Sequence, residues 1–550
     1  MRSLSLTAAL TLTLAACAST PQNATAPSAP RTAANKLDAS HFDAIKTIVV
    51  IYAENRAFDN LYGNFPGANG LQNVSAEQAQ QRDRNGSMLP TLPPVPGKGL
   101  TDPSDPTEIT REMTMEHPNA PFALDDPRGY AVSLDYKLHD LVHAFYQNQM
   151  QIDGGKNDMF AAYSDAGGEV MGHFDGSKMA LWKIAQKYTL ADDFFQGGFG
   201  SSFFNHQYLI CACAPLDFKT KAEPEKYKGN ISVVAADGVS LKIDPDGPAS
   251  ALHDPPRFVH YGVLTPDYYA VNTVQPPYQP SGNLAAEGSD WRLADPDKAT
   301  TLSPQVAPTI GDRLSEASIG WAWYSGGWKA AILANEALRK YEQIKHAETW
   351  TWPEAVAEGV TAAHVIFQYH HQPFNYYANF APGRLARAEH LRDGGVDGAK
   401  FIADIDAGKL PAVTFYKPQG SQNQHAGYAT VAAGDEHIAN LVAHLEKSPQ
   451  WPSMVVVITY DENGGWWDHV APPKGDRWGP GTRIPAIIVS PFAKRGYVDH
   501  TQYDTGSIQR LINRRFGLKP LPGIEQRDEA LRTNGQKPMG DLTEALNFSK

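Results

Sequence analysis

Two apolar stretches of the sequence end in pairs of oxygen-rich side chains. MVVVITY is followed by Asp461 and Glu462, and IKTIVVIYA is followed by Glu54 and Asn55. Burying acids at the tip of an apolar strand costs desolvation free energy unless a cation, hydrogen bonds or water compensate it. Carboxylate and amide oxygens suit hard cations such as Mg²⁺, Ca²⁺ or Mn²⁺. The two pairs therefore predict a shared cation site.

A hydroxyl group and several imidazoles accompany these acids. The glycine-rich turn QGGFGSS leads into the helix-like FFNHQYLICA, which places Ser201 or Ser202 at a predicted helix start. Free N–H groups at a helix N-terminus favour an anionic ligand such as phosphate. Histidines near predicted strand ends are His143, His370, His371, His425 and His469. Alone, each feature is more often a solvated turn, a helix cap or a packing residue; together they predict phosphoryl-transfer chemistry.

The elements that must position these groups alternate between strands and helices. Strand-like runs cover 45–53, 188–195, 318–328, 410–418, 453–463 and 483–492, and helical patterns cover 133–150, 178–187, 203–212 and 435–447. Such alternation predicts an α/β domain with a mostly parallel central sheet flanked by helices. Ligands of these sheets bind outside the carboxyl ends of the strands, where both acid pairs are predicted to lie.

Length and charge restrict the classes of protein that fit. With 550 residues, 42% of them hydrophobic, the chain is long enough for one large domain or two. A net charge of -12 gives no support for nucleic-acid binding, so we expect no nucleic-acid partner. We predict one α/β domain over residues 41–530, a loop-rich insertion or lid at 215–317, and a C-terminal tail at 531–550.

The N-terminal residues indicate export. MRSLSLTAALTLTLAAC combines Arg2, a short apolar stretch and the motif Leu-Ala-Ala-Cys, which resembles the bacterial lipobox. It predicts a signal peptide at 1–16, an acylated Cys17 and a flexible tether at 17–40, as in a periplasmic or outer-membrane-anchored lipoprotein. The alternative is an ordinary signal peptide cut near Ala16 or Ala18, with Cys17 incidental.

Two further cysteines, Cys211 and Cys213, lie in ICACAP. A second cysteine pair that would complete a zinc site is absent from the sequence. Two buried thiols and a tight disulfide both remain open interpretations.

Four segments carry a resemblance to a known family: ENRAFDNLYG, GGKNDMF, GSSFFNH and TYDENGGWWDHVAPP. They resemble the signature segments of the bacterial phosphoesterase family that holds acid phosphatase A and phosphatidylcholine-type phospholipases C. The resemblance covers about residues 45–520 and implies an alkaline-phosphatase-like α/β fold. It also implies one divalent cation of unknown identity, held by Glu54, Asn55, Ser202, Asp461 and Glu462.

The same resemblance implies roles for the remaining site residues. Ser202 aligns with the family's nucleophile, a threonine in the phospholipase branch, and would form a phosphoseryl intermediate. His371 or His425 would protonate the leaving alcohol, and His143, Asn272 and His370 would bind substrate. Imidazole can donate a proton at mildly acidic pH.

Features of two branches are mixed in this chain. The pair Asp461–Glu462 is similar to the phospholipase branch, whereas Ser202 and the following Asn205–His206 favour the phosphatase branch. Phospholipases of this family usually have a twin-arginine signal and extra C-terminal domains, and from Met-Arg-Ser-Leu at the start and the short stretch after RRFGLKPLPG we expect neither here. We therefore expect an acid phosphatase acting on monoesters, with a phospholipase C that cleaves diesters such as phosphatidylcholine as the alternative.

Other classes fit less well. A Ser-His-Asp esterase is expected to carry Gly-x-Ser-x-Gly, which the sequence lacks. A sulfatase needs an arginine after a modifiable Cys or Ser, and Cys211 and Cys213 have none in register. A lipoprotein that only binds phosphorylated ligands would keep the cation ligands without needing Ser202. The oligomeric state stays open.

Overall fold

The structure is a computed structural model that describes residues 42–96, 109–344 and 365–548. The predicted signal peptide, Cys17 and the tether to residue 40 lie outside these residues. Within the described ranges, every helix is too short or too polar to cross a bilayer.

Twelve strands are present in the described part of the chain. In chain order they are β1 (Thr47–Ala53), β2 (Phe122–Ala123), β3 (Gly172–His173), β4 (Thr189–Ala191), β5 (Phe194–Phe195), β6 (Trp321–Gly326), β7 (Leu391–Gly395), β8 (Val413–Lys417), β9 (Met454–Tyr460), β10 (Ala486–Val489), β11 (Tyr497–Asp499) and β12 (Tyr503–Asp504). Eight of them form one sheet in the order β11-β4-β10-β9-β1-β8-β6-β7.

The sheet is mostly parallel, as the sequence predicts. β1 lies at its centre and pairs in parallel with β8 and β9, while β10 runs antiparallel to both of its neighbours. All seven residues of β1 and all seven of β9 are buried. Continuous Val and Ile runs of this kind form central strands covered on both faces.

Twelve α-helices surround the sheet in the described residues. In chain order they are α1 (Phe58–Tyr62), α2 (Phe145–Ile152), α3 (Ala180–Lys187), α4 (Ser202–Cys211), α5 (Phe218–Ala222), α6 (Ile310–Glu316), α7 (Trp328–Ile344), α8 (Leu385–His390), α9 (Ala399–Asp406), α10 (Val431–Leu445), α11 (Gly506–Phe516) and α12 (Pro522–Thr533). Together with the sheet they confirm the predicted α/β class.

One predicted helix is wrong over most of its length. The pattern at 133–150 predicts a helix, but only α2 forms there, from Phe145 onward. Leu138 and Leu141 are buried as the pattern requires. Their segment is fixed by tertiary hydrogen bonds instead: Gly427 N donates to Leu138 O, and Val142 N donates to the Asp165 carboxylate. Tertiary contacts have overridden local helix preference.

The region predicted as an insertion, 215–317, contributes no strand to the eight-stranded sheet and carries α5 and α6. Its role as a lid and the predicted domain boundaries stay predictions. Cys211 and Cys213, next to it, are joined by a disulfide.

Candidate active site

The two pairs predicted from the sequence to share a site, Glu54–Asn55 and Asp461–Glu462, meet at one edge of the sheet. Ala53 and Tyr460 are register partners at the ends of β1 and β9, so the residues that follow them emerge side by side. The backbone N–H groups of Asn55 and Glu462 both donate to Asp461 Oδ1, at 2.9 and 2.8 Å. Glu54, Asn55, Asp461 and Glu462 are all buried. Neighbouring parallel strands therefore create the cluster that two distant sequence segments only suggest.

Ser202 joins this cluster from the first position of α4. Its Oγ lies 3.3 Å from Asn55 Oδ1 and 3.5 Å from Glu462 Oε1. Gly200 lets the backbone before Ser202 pass close to Ala144. Its φ is 48°, and a Cβ at this position would lie 2.4 Å from the Ala144 carbonyl carbon. Only glycine accepts this conformation and this contact without strain. Ser201 takes the N-cap position, and its N–H donates to the His143 carbonyl.

The oxygens of this cluster face one another in a way that fits a hard divalent cation. Asn55 Oδ1 lies 3.0 Å from Glu462 Oε1 and 3.1 Å from Glu54 Oε2. Turning the amide over would place its NH₂ among these oxygens, but a cation satisfies the same oxygens in the observed orientation. Asp461 Oδ2 is buried and has no hydrogen-bond partner among the described residues.

The pKa values of the acids agree with this interpretation. Burial raises the pKa of Glu54 well above its ordinary value, and the neighbouring Asp461 adds to the effect. Burial also raises the pKa of Glu462, to about 8. Ionised carboxylates in this position need a compensating positive charge, which a divalent cation would supply.

His143 and His425 lie on one side of the cluster. His425 Nε2 is 3.0 Å from the Asn55 amide nitrogen, and His143 Nε2 is 3.7 Å from Glu462 Oε1. Burial alone would lower the pKa of His143, but the carboxylates of Glu462 and Asp140 outweigh it and raise this pKa to about 9. Burial and the neighbouring His143 hold the pKa of His425 well below its ordinary value.

His371 lies on the opposite side of Glu54, with two residues that the sequence reasoning left out of the site. His371 Nδ1 and His206 Nε2 are 3.3 and 3.4 Å from Glu54 Oε1. The Lys417 ammonium contacts the same oxygen. The rings of His206 and His371 stack with centroids 4.8 Å apart.

Both omitted residues had a signal in the sequence. Lys417 ends β8, an apolar strand that neighbours β1, so the logic applied to the two acid pairs also points to it. His206 follows Ser202 by four residues, which places both on the same face of a helix.

The two remaining predicted residues lie farther from the acids. The His370 ring packs edge-on against His371 with centroids 4.2 Å apart, and burial, Lys417 and His143 lower the pKa of His370 to about 3. Asn272 is held at both ends by backbone: its Oδ1 accepts from Phe145 N and its Nδ2 donates to Gly262 O, each at 3.0 Å. Asn272 thus fixes the start of α2.

His469 belongs to a different cluster. Its Nδ1 lies 2.6 Å from Asp59 Oδ2, and Arg483 binds both Asp59 and Asp468 at 3.0 Å. These four buried residues form a salt-bridge network, to which the segment after Glu462 contributes Asp468 and His469.

A sheet edge that joins clustered carboxylates, a hydroxyl at a helix start and several imidazoles has the layout of an enzyme acting on phosphate esters. The sequence pattern of the phosphoesterase family matches residues 45–519, and the chain belongs to that family. The protein is a phosphoric ester hydrolase.

Curated relatives include phospholipases C. Phospholipase C A of Mycobacterium tuberculosis is 21% identical over 540 residues, which cover 92% of this chain and 78% of that protein. Non-hemolytic phospholipase C of Pseudomonas aeruginosa is 27% identical over 248 residues, covering 38% and 34%. A solved structure of an alkaline phosphatase superfamily protein from Vibrio parahaemolyticus has a TM-score of 0.30 and 9% identity, over 70% of this chain and 67% of that one. This structural similarity is too low to support a further conclusion.

Proposed function

We propose that this protein hydrolyses phosphate esters in two steps, with Ser202 as the nucleophile and a divalent cation bound by Glu54, Asn55, Asp461 and Glu462. The observation that carries the proposal is the position of Ser202 Oγ, 3.3 Å from Asn55 Oδ1 and 3.5 Å from Glu462 Oε1. A hydroxyl used only as a helix cap would bond to backbone N–H groups of its own helix. The Ser202 hydroxyl instead contacts the side chains of Asn55 and Glu462.

The bound cation would neutralise phosphate charge and favour the ionised form of the Ser202 hydroxyl. Ser202 Oγ attacks phosphorus, the bond to the leaving alcohol breaks, and a phosphoseryl group forms. Glu462 lies close enough to Ser202 to accept the hydroxyl proton. The positive end of α4 and the His143 imidazole would bind nonbridging phosphate oxygens. Water then attacks the phosphoseryl group and releases phosphate or a phosphomonoester.

The leaving alcohol needs a proton, and His425 is the better placed of the two predicted donors. Its Nε2 contacts the Asn55 amide beside Ser202, whereas His371 contacts Glu54 on the far side of the cluster. His425 Nδ1 donates to the Ala426 carbonyl. Nε2 must therefore gain a proton from solvent, in exchange for the Ser202 proton that Glu462 accepts and returns to solvent, before it can deliver one to the leaving group.

For the substrate, we propose a phosphodiester of the phospholipase C type. Its support is that phospholipase C A of Mycobacterium tuberculosis aligns along 92% of this chain. The pair Asp461–Glu462 also resembles the phospholipase branch. A phosphomonoester is the second candidate, favoured by the serine at position 202 and by Asn205 and His206 after it. Asn205 holds the turn before α4 by donating to the Gly198 and Gly200 carbonyls.

The test is a substrate panel run on wild type and Ser202→Ala. It compares an aryl phosphomonoester, an aryl phosphodiester and phosphatidylcholine, after chelation and after return of single metals. We expect Ser202→Ala to lower kcat by at least about 10³-fold with unchanged thermal stability and metal content. Retained turnover in this variant would remove the covalent step. Faster release from the monoester than from both diesters would select the second candidate.

We also propose that Cys17 is acylated and anchors the protein at a membrane. The support is the Leu-Ala-Ala-Cys motif after a short apolar stretch. Labelled palmitate should be incorporated into the wild type expressed in a bacterium and be absent from Cys17→Ser. Equal labelling of both would contradict the proposal.

A further inference from the structure

The two carboxylate oxygens of Glu54 have different surroundings. Oε2 faces the Asn55 amide oxygen at 3.1 Å and so belongs to the oxygen cluster beside Ser202. Oε1 points the other way, toward His206, His371 and Lys417. Glu54 thus lies between two groups of side chains. The first is the oxygen cluster that would bind the proposed cation, and the second consists of His206, His371 and Lys417.

Together with Glu54, the two histidines of the second group have the composition of a metal site. Ligand atoms of Glu54, His206 and His371 all lie within 4.8 Å of one another, and the three residues are buried. His206 Nδ1 donates to Ser202 O at 2.7 Å, so the His206 Nε2 carries a lone pair. This Nε2 is buried without a hydrogen-bond partner among the described residues, and His371 faces Glu54 Oε1 through its Nδ1, at 3.3 Å. Two imidazoles and one carboxylate are a ligand set suited to Zn²⁺.

A lysine already supplies a positive charge there. Lys417 is 1% exposed, its Nζ donates to Tyr52 O at 3.0 Å, and its ammonium contacts Glu54 Oε1. It extends from the carboxyl end of β8, the strand beside β1, so the sheet itself directs it to Glu54. We propose that Lys417 is a positioning residue whose ammonium occupies a second cation site formed by Glu54, His206 and His371. It thereby limits the active site to one divalent ion and turns Glu54 Oε2 toward that ion.

Charge balance supports one divalent ion in the presence of Lys417. Glu54, Asp461 and Glu462 carry three negative charges when ionised, and Lys417 offsets one of them, while protonated His143 and Asp140, 3.5 Å apart, cancel each other. One divalent cation neutralises the remaining two. Without the lysine, one negative charge would be left in a buried site, where uncompensated charge is costly. A second ion bound by His206, His371 and Glu54 Oε1 would then be favoured.

This inference rests on the proposed cation site, and counting bound metal separates the two. Full-length wild type, Lys417→Met and Lys417→Arg are stripped with a chelator, dialysed against Zn²⁺ and analysed for zinc per chain by mass spectrometry. We expect one zinc in wild type, one in Lys417→Arg and two in Lys417→Met. Adding His371→Gln to Lys417→Met should return the count to one.

Each other outcome has a definite meaning. Two zinc ions in wild type, or one in folded Lys417→Met, would overturn the role of Lys417 while leaving the first site intact. No zinc in wild type, and no Mg²⁺, Ca²⁺ or Mn²⁺ after parallel dialysis against each, would overturn the metal centre of the proposed function. His206→Gln, which keeps Lys417, should still bind one zinc. If it binds none, His206 belongs to the first site and the proposal fails, even should Lys417→Met not fold.

Discussion

Two buried acid clusters each combine a residue shortly after β1 with one shortly after β9, and they balance their charge differently. Asp468 and Asp59 share the guanidinium of Arg483, with bonds of 3.0 Å to each. His469 adds a 2.6 Å contact to Asp59. Seven residues before Asp468, Asp461 carries a buried oxygen without a hydrogen-bond partner among the described residues.

The pKa directions show this contrast for Asp59 and Glu54, although burial and Asp59 also raise the pKa of Asp468, to about 6. Burial alone would raise the pKa of Asp59, but Arg483 and His469 outweigh burial and lower it. In the other cluster, burial raises the pKa of Glu54 even though Lys417 opposes the rise. A buried acid cluster with its own arginine stabilises the fold, whereas one with too few cationic side chains is suited to bind a metal.

Of the changes that compare the two clusters, Asp461→Asn should have the largest effect. The asparagine oxygen can still accept from Asn55 N and Glu462 N, while its NH₂ group replaces the oxygen offered to the cation. We expect a loss of bound metal and a fall in kcat of about 10²- to 10³-fold, with the thermal midpoint nearly unchanged. Metal analysis and steady-state kinetics measure this. Full metal content with normal kcat would show that Asp461 is no ligand.

Asp468→Asn is the matched change in the second cluster. It weakens the pairing with Arg483 and disturbs the acceptor of Asp59 N, which lies at 3.0 Å. We expect the free energy of unfolding to fall by about 3 kcal/mol, since a buried guanidinium loses a charged partner. Metal content should stay equal to wild type. Denaturant unfolding and metal analysis test both statements, and a loss of metal would erase the distinction between the clusters.

A smaller effect is expected at Glu169, a buried acid whose pKa is raised to about 7 by burial, with His139 and Arg56 offsetting only part of the rise. Because this folded-state pKa exceeds the unfolded value, the group favours folding below about pH 4.3 and loses that contribution as pH rises through 7. The free energy of unfolding of Glu169→Gln, taken relative to that of wild type, should therefore rise by roughly 2 kcal/mol from pH 5 to pH 8. Unfolding curves at both pH values measure the difference. A constant difference would show that Glu169 is ionised throughout.

Local pattern was sufficient for the central strands and for the acid pairs at their ends. Val-Ile runs 45–53 and 453–460 correspond to β1 and β9, because a strand buried on both faces needs continuous apolar side chains. Local pattern was not sufficient at 133–144. A helical pattern predicts a helix there, but backbone groups of this segment form hydrogen bonds with residues outside it instead.

The sequence by itself determined the α/β class, the central strands and the types of ligand at their ends, because side-chain period and residue chemistry are local properties. Only the tertiary structure decided that β1 lies between β8 and β9, which brings Lys417 to Glu54 and separates His469 from the site. Strand order and the partner of each buried charge depend on how distant segments pack, and that information is distributed over the whole chain.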